Sequence, residues 1–292
     1  MDRSLIYVLF VCLFTPLILS AQTENDSIHK KHDLLSIFKR EIIYNSEKET
    51  LVALDRTPAF GIYKDNYFIT GIPLNEKVTN STADAMFQVS IRHRLTKSIL
   101  PFKTFAYITY TQKSFWNIYA ESSPFRDTNY NPGIGLAKSI LRGNQLLGTI
   151  FFQVKHESNG KEKTDSRSWN YLSIAAKYYI NSRLNISGEF WIPYVDGGNN
   201  KDLLDYKGLG QININCVDNN QKWWFEIQLN QRKGFGNINT VASIAFKVSK
   251  SSNQYLFLRL QDGYGDSFQD YNRYSMNVRI GICIKPNFYS IY

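Results

Sequence analysis

Cysteine is scarce in this chain of 292 residues, where Cys12, Cys216 and Cys283 are the only three. No Cys/His group has zinc-site spacing and no glycine-rich phosphate loop occurs, which excludes zinc modules and P-loop nucleotide enzymes. After Leu5–Ala21 no apolar run approaches the roughly 20 residues that a membrane helix needs. No helical run competes with the strand patterns described below, and a dense basic helix is absent as well. A net charge of +9 and a pI near 9.3 would suit an anionic partner. Without a basic helix, nucleic acid is set aside in favour of a lipid surface, or of Lys and Arg scattered over an ordinary one.

What is present falls into three parts. Leu5–Ala21 follows Met1-Asp2-Arg3-Ser4, ends in Leu19-Ser20-Ala21 and runs straight into Gln22-Thr23-Glu24-Asn25-Asp26. Residues 1–21 are therefore expected to be a cleaved export signal. Leu9-Phe10-Val11 lacks the small residues that precede a lipoprotein cysteine. Residues 22–59 are polar around one apolar cluster, Leu34-Leu35-Ser36-Ile37-Phe38, and read as a loosely structured periplasmic arm with His29 and His32 solvated. Residues 60–292 are the folded domain. There Cys216 shares the apolar phase of Ile212 and Ile214, and Cys283 the polar phase of Asn277 and Arg279, so a disulfide between them is not indicated.

From Asn66 onward short segments alternate with a period of two. Phe87, Val89, Ile91 and His93 alternate with Gln88, Ser90, Arg92 and Arg94; Ala242, Ile244 and Phe246 alternate with Ser243, Ala245 and Lys247; Met276, Val278, Ile280, Ile282 and Ile284 alternate with Ser275, Asn277, Arg279, Gly281 and Cys283. About twelve such strands are expected, near residues 67–72, 86–95, 104–116, 131–138, 147–158, 168–180, 184–195, 206–217, 223–231, 239–249, 253–261 and 273–285. An even number of strands of about ten residues in an exported chain predicts an all-β, twelve-stranded antiparallel transmembrane β-barrel of the outer membrane. Closure would satisfy every backbone donor and acceptor, which lipid demands. The polar phase, with Arg92, Glu189, Glu226, Arg259 and Arg279, is too charged for a dry core and suits a wet lumen. Aromatic residues near strand ends, such as Tyr63/Tyr67/Phe68, Trp116, Tyr178/Tyr179, Trp191/Tyr194, Trp223/Trp224 and Phe288/Tyr289/Tyr292, are expected to form interfacial girdles.

One stretch breaks the apolar phase. Ile150, Phe152 and Val154 run into His156 and Ser158, and after a charged loop Asn170 opens the series Leu172, Ile174, Ala176. A hairpin closed by that loop sets His156 opposite Asn170, because antiparallel partners keep a constant index sum. His156 and Ser158 share a face about 7 Å apart at the Cα level. An imidazole that takes a serine proton, and is itself oriented by a neighbour, makes that serine nucleophilic. An amide partner costs less beside lipid than a carboxylate would. Polar groups on a lipid-facing wall point to chemistry on an embedded substrate.

His156-Glu157-Ser158-Asn159-Gly160 followed by Ser166-Arg167-Ser168-Trp169-Asn170 resembles the active-site hairpin of the outer membrane phospholipase A family. So do Tyr110-Thr111-Gln112-Lys113-Ser114-Phe115-Trp116 with the stretch from Glu121 to Tyr130, and Gly263-Tyr264-Gly265-Asp266-Ser267 with Asp270-Tyr271-Asn272. The likeness spans residues 57 to 285. It implies a calcium-dependent, homodimeric barrel of the outer membrane that hydrolyses phospholipid acyl esters. By the same resemblance Ser158 is the nucleophile, His156 the base, Asn170 its orienting partner and Gly160 the oxyanion donor. It also implies that calcium is held by Ser166, the Lys161 carbonyl and Ser122 of the partner subunit, and that Gln112 lies on the dimer face. The loop departs from the family in having Lys161 after Gly160 and in its order of charges through Asp165. Two rivals stay open: a barrel channel with a charged lumen, and a catalytically inactive scaffold.

Overall fold

Alternation becomes sheet along the whole described chain. The computed structural model describes residues 58–292 except 97–99, 143–144, 196–197, 250–251, 289 and 291–292. The expected export signal and nearly all of the expected arm lie outside the described residues. The strands are β1 (Phe60–Ile62), β2 (Asn66–Pro73), β3 (Asp84–Arg94), β4 (Phe105–Trp116), β5 (Phe125–Arg142), β6 (Gln145–Ser158), β7 (Ser168–Tyr179), β8 (Leu184–Tyr194), β9 (Gly210–Val217), β10 (Trp223–Gln231), β11 (Ile238–Lys247), β12 (Gln254–Gly263) and β13 (Ser275–Ile284). Each of β2 to β13 pairs antiparallel with its chain neighbour, and β13 pairs with β2. The result is a closed barrel of twelve strands, as expected.

The extra strand β1 is the continuation of β2 below a break at Tyr63–Asp65. Both lie against β3, but their registers, Phe60↔His93 and Tyr67↔Gln88, differ by two residues. The break turns Tyr63 inward, where its hydroxyl donates to Gln153 Oε1 at 2.9 Å.

Two strand starts differ from expectation. β5 begins at Phe125 rather than near 131, because its ladder with β4 runs out to Trp116. β9 begins at Gly210 rather than near 206, because Leu203–Lys207 forms a short helix, α1, that takes the first two residues of the expected strand. Gly208 ends the helix with φ +75°, its N–H donating to the Leu204 carbonyl at 3.0 Å. A side chain there would sit 2.0 Å from the Gln231 carbonyl, so only glycine allows the turn.

The two phases separate cleanly. In β6, Val154 is 51% exposed on the outside while Gln153 is 0% exposed in the lumen. Ile134, Leu136, Ile150, Phe152 and Ile174 join the outer band. A water-soluble barrel would turn these side chains inward; here the medium that covers them is hydrocarbon. The lumen is polar and paired. Lys155 Nζ meets Glu189 Oε1 at 3.0 Å, and Arg279 takes both Asp84 oxygens at 2.7 and 2.8 Å while reaching Asp266 at 3.1 Å. A cavity of about 380 Å³ remains between such groups, lined among others by Lys64, Lys177 and Gln228.

The aromatic girdles need correction. Phe68, Tyr178 and Tyr194 are exposed on the outer wall, but Tyr63, Tyr67, Tyr179, Trp191, Trp224 and Phe288 are buried inside. Adjacent residues on a strand point to opposite faces, so pairs such as Tyr178/Tyr179 cannot both meet the interface. Tyr289 and Tyr292 lie outside the described residues. Neither Cys216 nor Cys283 forms a disulfide.

Candidate active site

The hairpin of β6 and β7 carries the polar set at one end of the barrel. Its ladder pairs His156 with Asn170 and Ser158 with Ser168. All four are half-buried and continue the phase of Val154 and Leu172, which puts them on the outer wall. His156 Nδ1 and Asn170 Oδ1 are 2.9 Å apart. An amide oxygen only accepts, so Nδ1 carries the proton and Nε2 is left as the basic nitrogen. Ser158 lies two residues further along the same face.

Neighbouring strands support this pair. Tyr130 on β5 is opposite Ser158, and Gln112 on β4 is opposite Tyr130, so the three form one row across the wall. By the same register Pro132 falls opposite His156 and has no N–H to give. Asn131 Nδ2 donates to the His156 carbonyl instead, at 2.8 Å, and to the Tyr171 hydroxyl at 3.0 Å. Nothing in the sequence pattern singles out Asn131 except the proline that follows it. Gln112 is tied along the outer wall, accepting from the Tyr110 hydroxyl at 3.0 Å and donating to Ser114 Oγ at 3.3 Å.

From inside, two loops close over the back of the hairpin. Leu203 of α1 packs with Trp169, Tyr171, Trp191, Phe268 and Tyr271. Glu157, between His156 and Ser158 but facing the lumen, accepts from Lys207 Nζ at 2.7 Å and from Trp169 Nε1 at 2.8 Å. The loop between β12 and β13 is held by Asp127, whose Oδ2 accepts from Ser267 Oγ at 2.8 Å and from the Phe268 and Gln269 amides, both at 2.9 Å. In that loop burial by itself would raise the Asp266 carboxyl. The cations of Arg259, Lys113 and Arg279 outweigh it and hold the group far below the usual carboxylate range.

The loop after Ser158 offers oxygens beside three cations, Lys161, Lys163 and Arg167. Gly160 has φ +65°, and a single 3-10 turn spans Lys163–Asp165. The Lys161 ammonium is drawn across to the Arg126 carbonyl at 2.8 Å. The Ser166 carbonyl accepts from Arg167 Nη1 at 2.9 Å and Asn199 Nδ2 at 3.4 Å, so the hydroxyl is the oxygen that Ser166 has to offer a ligand. Ser122 is exposed at a separate corner, on the β4–β5 loop, where it and Ser123 have φ of 62° and 40°. Among the described residues no three His, Cys, Asp or Glu side chains converge as a metal cluster. Carbonyl and hydroxyl oxygens nevertheless suit a hard divalent cation.

A membrane-spanning barrel with an imidazole, a serine and an amide on its lipid face is thus the class that fold and site define. A profile described as Phospholipase A1 matches residues 59–284. The chain is 27% identical over 284 residues to the phospholipase A1 of Proteus vulgaris, covering 92% of this chain and 94% of that one. Outer membrane phospholipase A from Escherichia coli superposes with a TM-score of 0.72 at 22% identity, over 84% of this chain and 100% of that one. A calcium-bound dimer of the Salmonella typhi outer membrane phospholipase gives 0.72 at 24% identity with the same coverage. The chain belongs to the phospholipase A1 family. It is a phospholipase of the outer membrane.

Proposed function

We propose that this barrel hydrolyses acyl esters of membrane phospholipids with Ser158 as nucleophile, His156 as general base and Asn170 as the group that orients it. The observation that carries the reading is the 2.9 Å pairing of His156 Nδ1 with Asn170 Oδ1 on the outer wall, two residues from Ser158. The Ser158 hydroxyl gives its proton to His156 Nε2 as Oγ attacks the ester carbonyl. Asn170 keeps the proton of the imidazolium on Nδ1, and the Gly160 N–H donates to the oxyanion. His156 then returns a proton to the leaving lysophospholipid oxygen, and water releases the fatty acid by the same steps. Acyl chains lie along Val154, Phe152 and Leu172, so the ester reaches Ser158 from the lipid side without a deep pocket.

The Lys161 carbonyl and the Ser166 hydroxyl, with Ser122 of the partner subunit, would hold calcium in a homodimer whose face includes Gln112. When bound it adds positive charge beside the developing oxyanion. The lumen argues against a channel: Lys155–Glu189 and Arg279–Asp84 project into it, each from strands two apart in the wall, and both pairs are nearly buried.

The test is fatty-acid release in detergent micelles by wild type and Ser158→Ala, each with calcium and with chelator. Release that needs calcium and is lost in the variant is expected. Release that survives chelation but not the substitution would discard the ion site alone. No release from a folded wild-type dimer would move the reading to a scaffold.

A further inference from the structure

Asn159, one residue past Ser158, points the other way and is only 4% exposed. The loop that follows closes around its side chain. Oδ1 accepts from the backbone N–H of Arg167 at 2.9 Å and of Lys161 at 3.3 Å. Nδ2 donates to the Asp165 carbonyl at 2.8 Å and to Gln269 Oε1 at 2.9 Å. Its own backbone N–H donates to the Arg167 carbonyl at 3.1 Å. A carboxamide has two donors and one oxygen with two lone pairs, and here all of them are used. Gln269 belongs to the inward-folded β12–β13 loop, and its backbone N–H is fixed by Asp127. A continuous set of bonds therefore runs from Asp127 on β5, through Gln269, to both ends of the loop that contains Gly160, Lys161 and Ser166.

We infer that Asn159 is a positioning residue for the hydrolysis, and that Gln269 in turn positions Asn159. The inference rests on the reading of Ser158 as nucleophile. Asn159 touches no reacting atom. It acts by fixing the direction of the Gly160 N–H, because the next peptide along, at Lys161, is bonded to its side chain. Remove the carboxamide and the described bonds that still shape the loop are those of its own 3-10 turn, the Asn159 backbone N–H to the Arg167 carbonyl, Arg167 Nη1 to the Thr164 and Ser166 carbonyls, Lys161 Nζ to the Arg126 carbonyl and Asn199 Nδ2 to the Lys163 and Ser166 carbonyls. None of these fixes the peptides next to Gly160.

The chemistry of the amide makes the role separable from packing. Asn159→Asp keeps the volume and both acceptor contacts, but sets a carboxylate oxygen against the Asp165 carbonyl and Gln269 Oε1, which are acceptors too. Gln269→Glu keeps an acceptor for Nδ2, whereas Gln269→Leu removes it.

The experiment compares wild type, Ser158→Ala, Asn159→Asp, Gln269→Leu and Gln269→Glu in micelles. Heat-modifiable gel migration checks that each barrel is folded. Two quantities are read: kcat and KM for phospholipid, and the rate at which a long-chain alkylsulfonyl fluoride bonds to Ser158 without any divalent cation, followed by intact mass. In that labelling Ser158 Oγ attacks sulfur, the S–F bond breaks, fluoride leaves and the serine proton passes to His156. For Asn159→Asp, labelling and kcat are expected to fall about 100-fold with KM within about twofold, the size of effect a misplacement near 1 Å has at a reacting centre. Gln269→Leu is expected to fall about tenfold and Gln269→Glu to stay near wild type, since only one of the bonds on Asn159 is lost and then restored. Labelling of Asn159→Asp at the wild-type rate overturns the proposal. Should that barrel not fold, equal rates for the two Gln269 variants overturn it instead. A folded wild type that is not labelled at Ser158 either with or without calcium refutes the nucleophile assignment, a different failure.

Discussion

Gly160→Ala puts a Cβ 2.9 Å from Cε2 of the Tyr130 ring, at a backbone φ of +65°. Carbon atoms pack at about 3.5–4.0 Å, so something must move by more than half an ångström. The left-handed conformation adds roughly 1–2 kcal/mol for any residue with a Cβ. The Tyr130 ring is 37% exposed and can turn aside, which leaves the backbone strain as the larger cost. The peptide at Gly160 relieves it by rotating, and its N–H leaves the direction of the oxyanion. Loss of one such donor lowers kcat about 10²–10³-fold, and a partial rotation about 10–100-fold. The strand ladders are not involved, so the barrel should resist heat as the wild type does. The assay is fatty-acid release at saturating phospholipid, with Tyr130→Ala and the double variant alongside. Recovery of less than half the loss in the double variant is expected, because the φ strain persists without the ring. Wild-type kcat in Gly160→Ala would refute the assignment of the Gly160 N–H to the oxyanion.

Asn170→Ala removes the acceptor from His156 Nδ1 and should lower kcat by roughly 10²–10⁴-fold, less than His156→Ala, because the base survives but loses its fixed tautomer. Equal loss in the two would assign Asn170 a larger part than orientation. Asp266 has a folded-state pKa below its unfolded value of about 3.9, so its contribution to stability is complete above that pH and is lost as pH falls below it. The β12–β13 loop should lose protection from hydrogen exchange, relative to its intrinsic rate, below about pH 4 in the wild type and change less in Asp266→Asn; identical profiles would contradict the ion-pair account. Gln112 is proposed to lie on the face of a calcium-induced dimer, so Gln112→Leu should weaken dimer formation with calcium, measured by sedimentation in detergent, while leaving the barrel folded. An unchanged dimer would remove Gln112 from that face.

Much of the architecture was legible because a strand has a period of two. The phase of Val154, His156 and Ser158 was readable from the order of residues, and the constant index sum of a hairpin set His156 against Asn170 before any coordinates. The same rule, applied per residue, would have denied that Tyr178 and Tyr179 could both belong to a girdle. The helical turn at Leu203–Lys207 was not legible, since its five residues are too few to display helical periodicity and it is held by burying Leu203 among aromatics from β7, β8 and the β12–β13 loop.

Periodicity assigns a side chain to a face, but it does not name its partner inside the barrel. Arg279 meets Asp84 across 195 positions of sequence, Ser267 meets Asp127 across 140, and Asn159 meets Gln269 across 110. Sequence alone determined the twelve strands, apart from β1 and the starts of β5 and β9, their two faces and the polar triplet on the outer one. Closure of the barrel decided the rest: joining β13 to β2 and folding two loops inward brings charged and amide groups together where little water competes for them, so their choice of partner depends on the tertiary path of the chain.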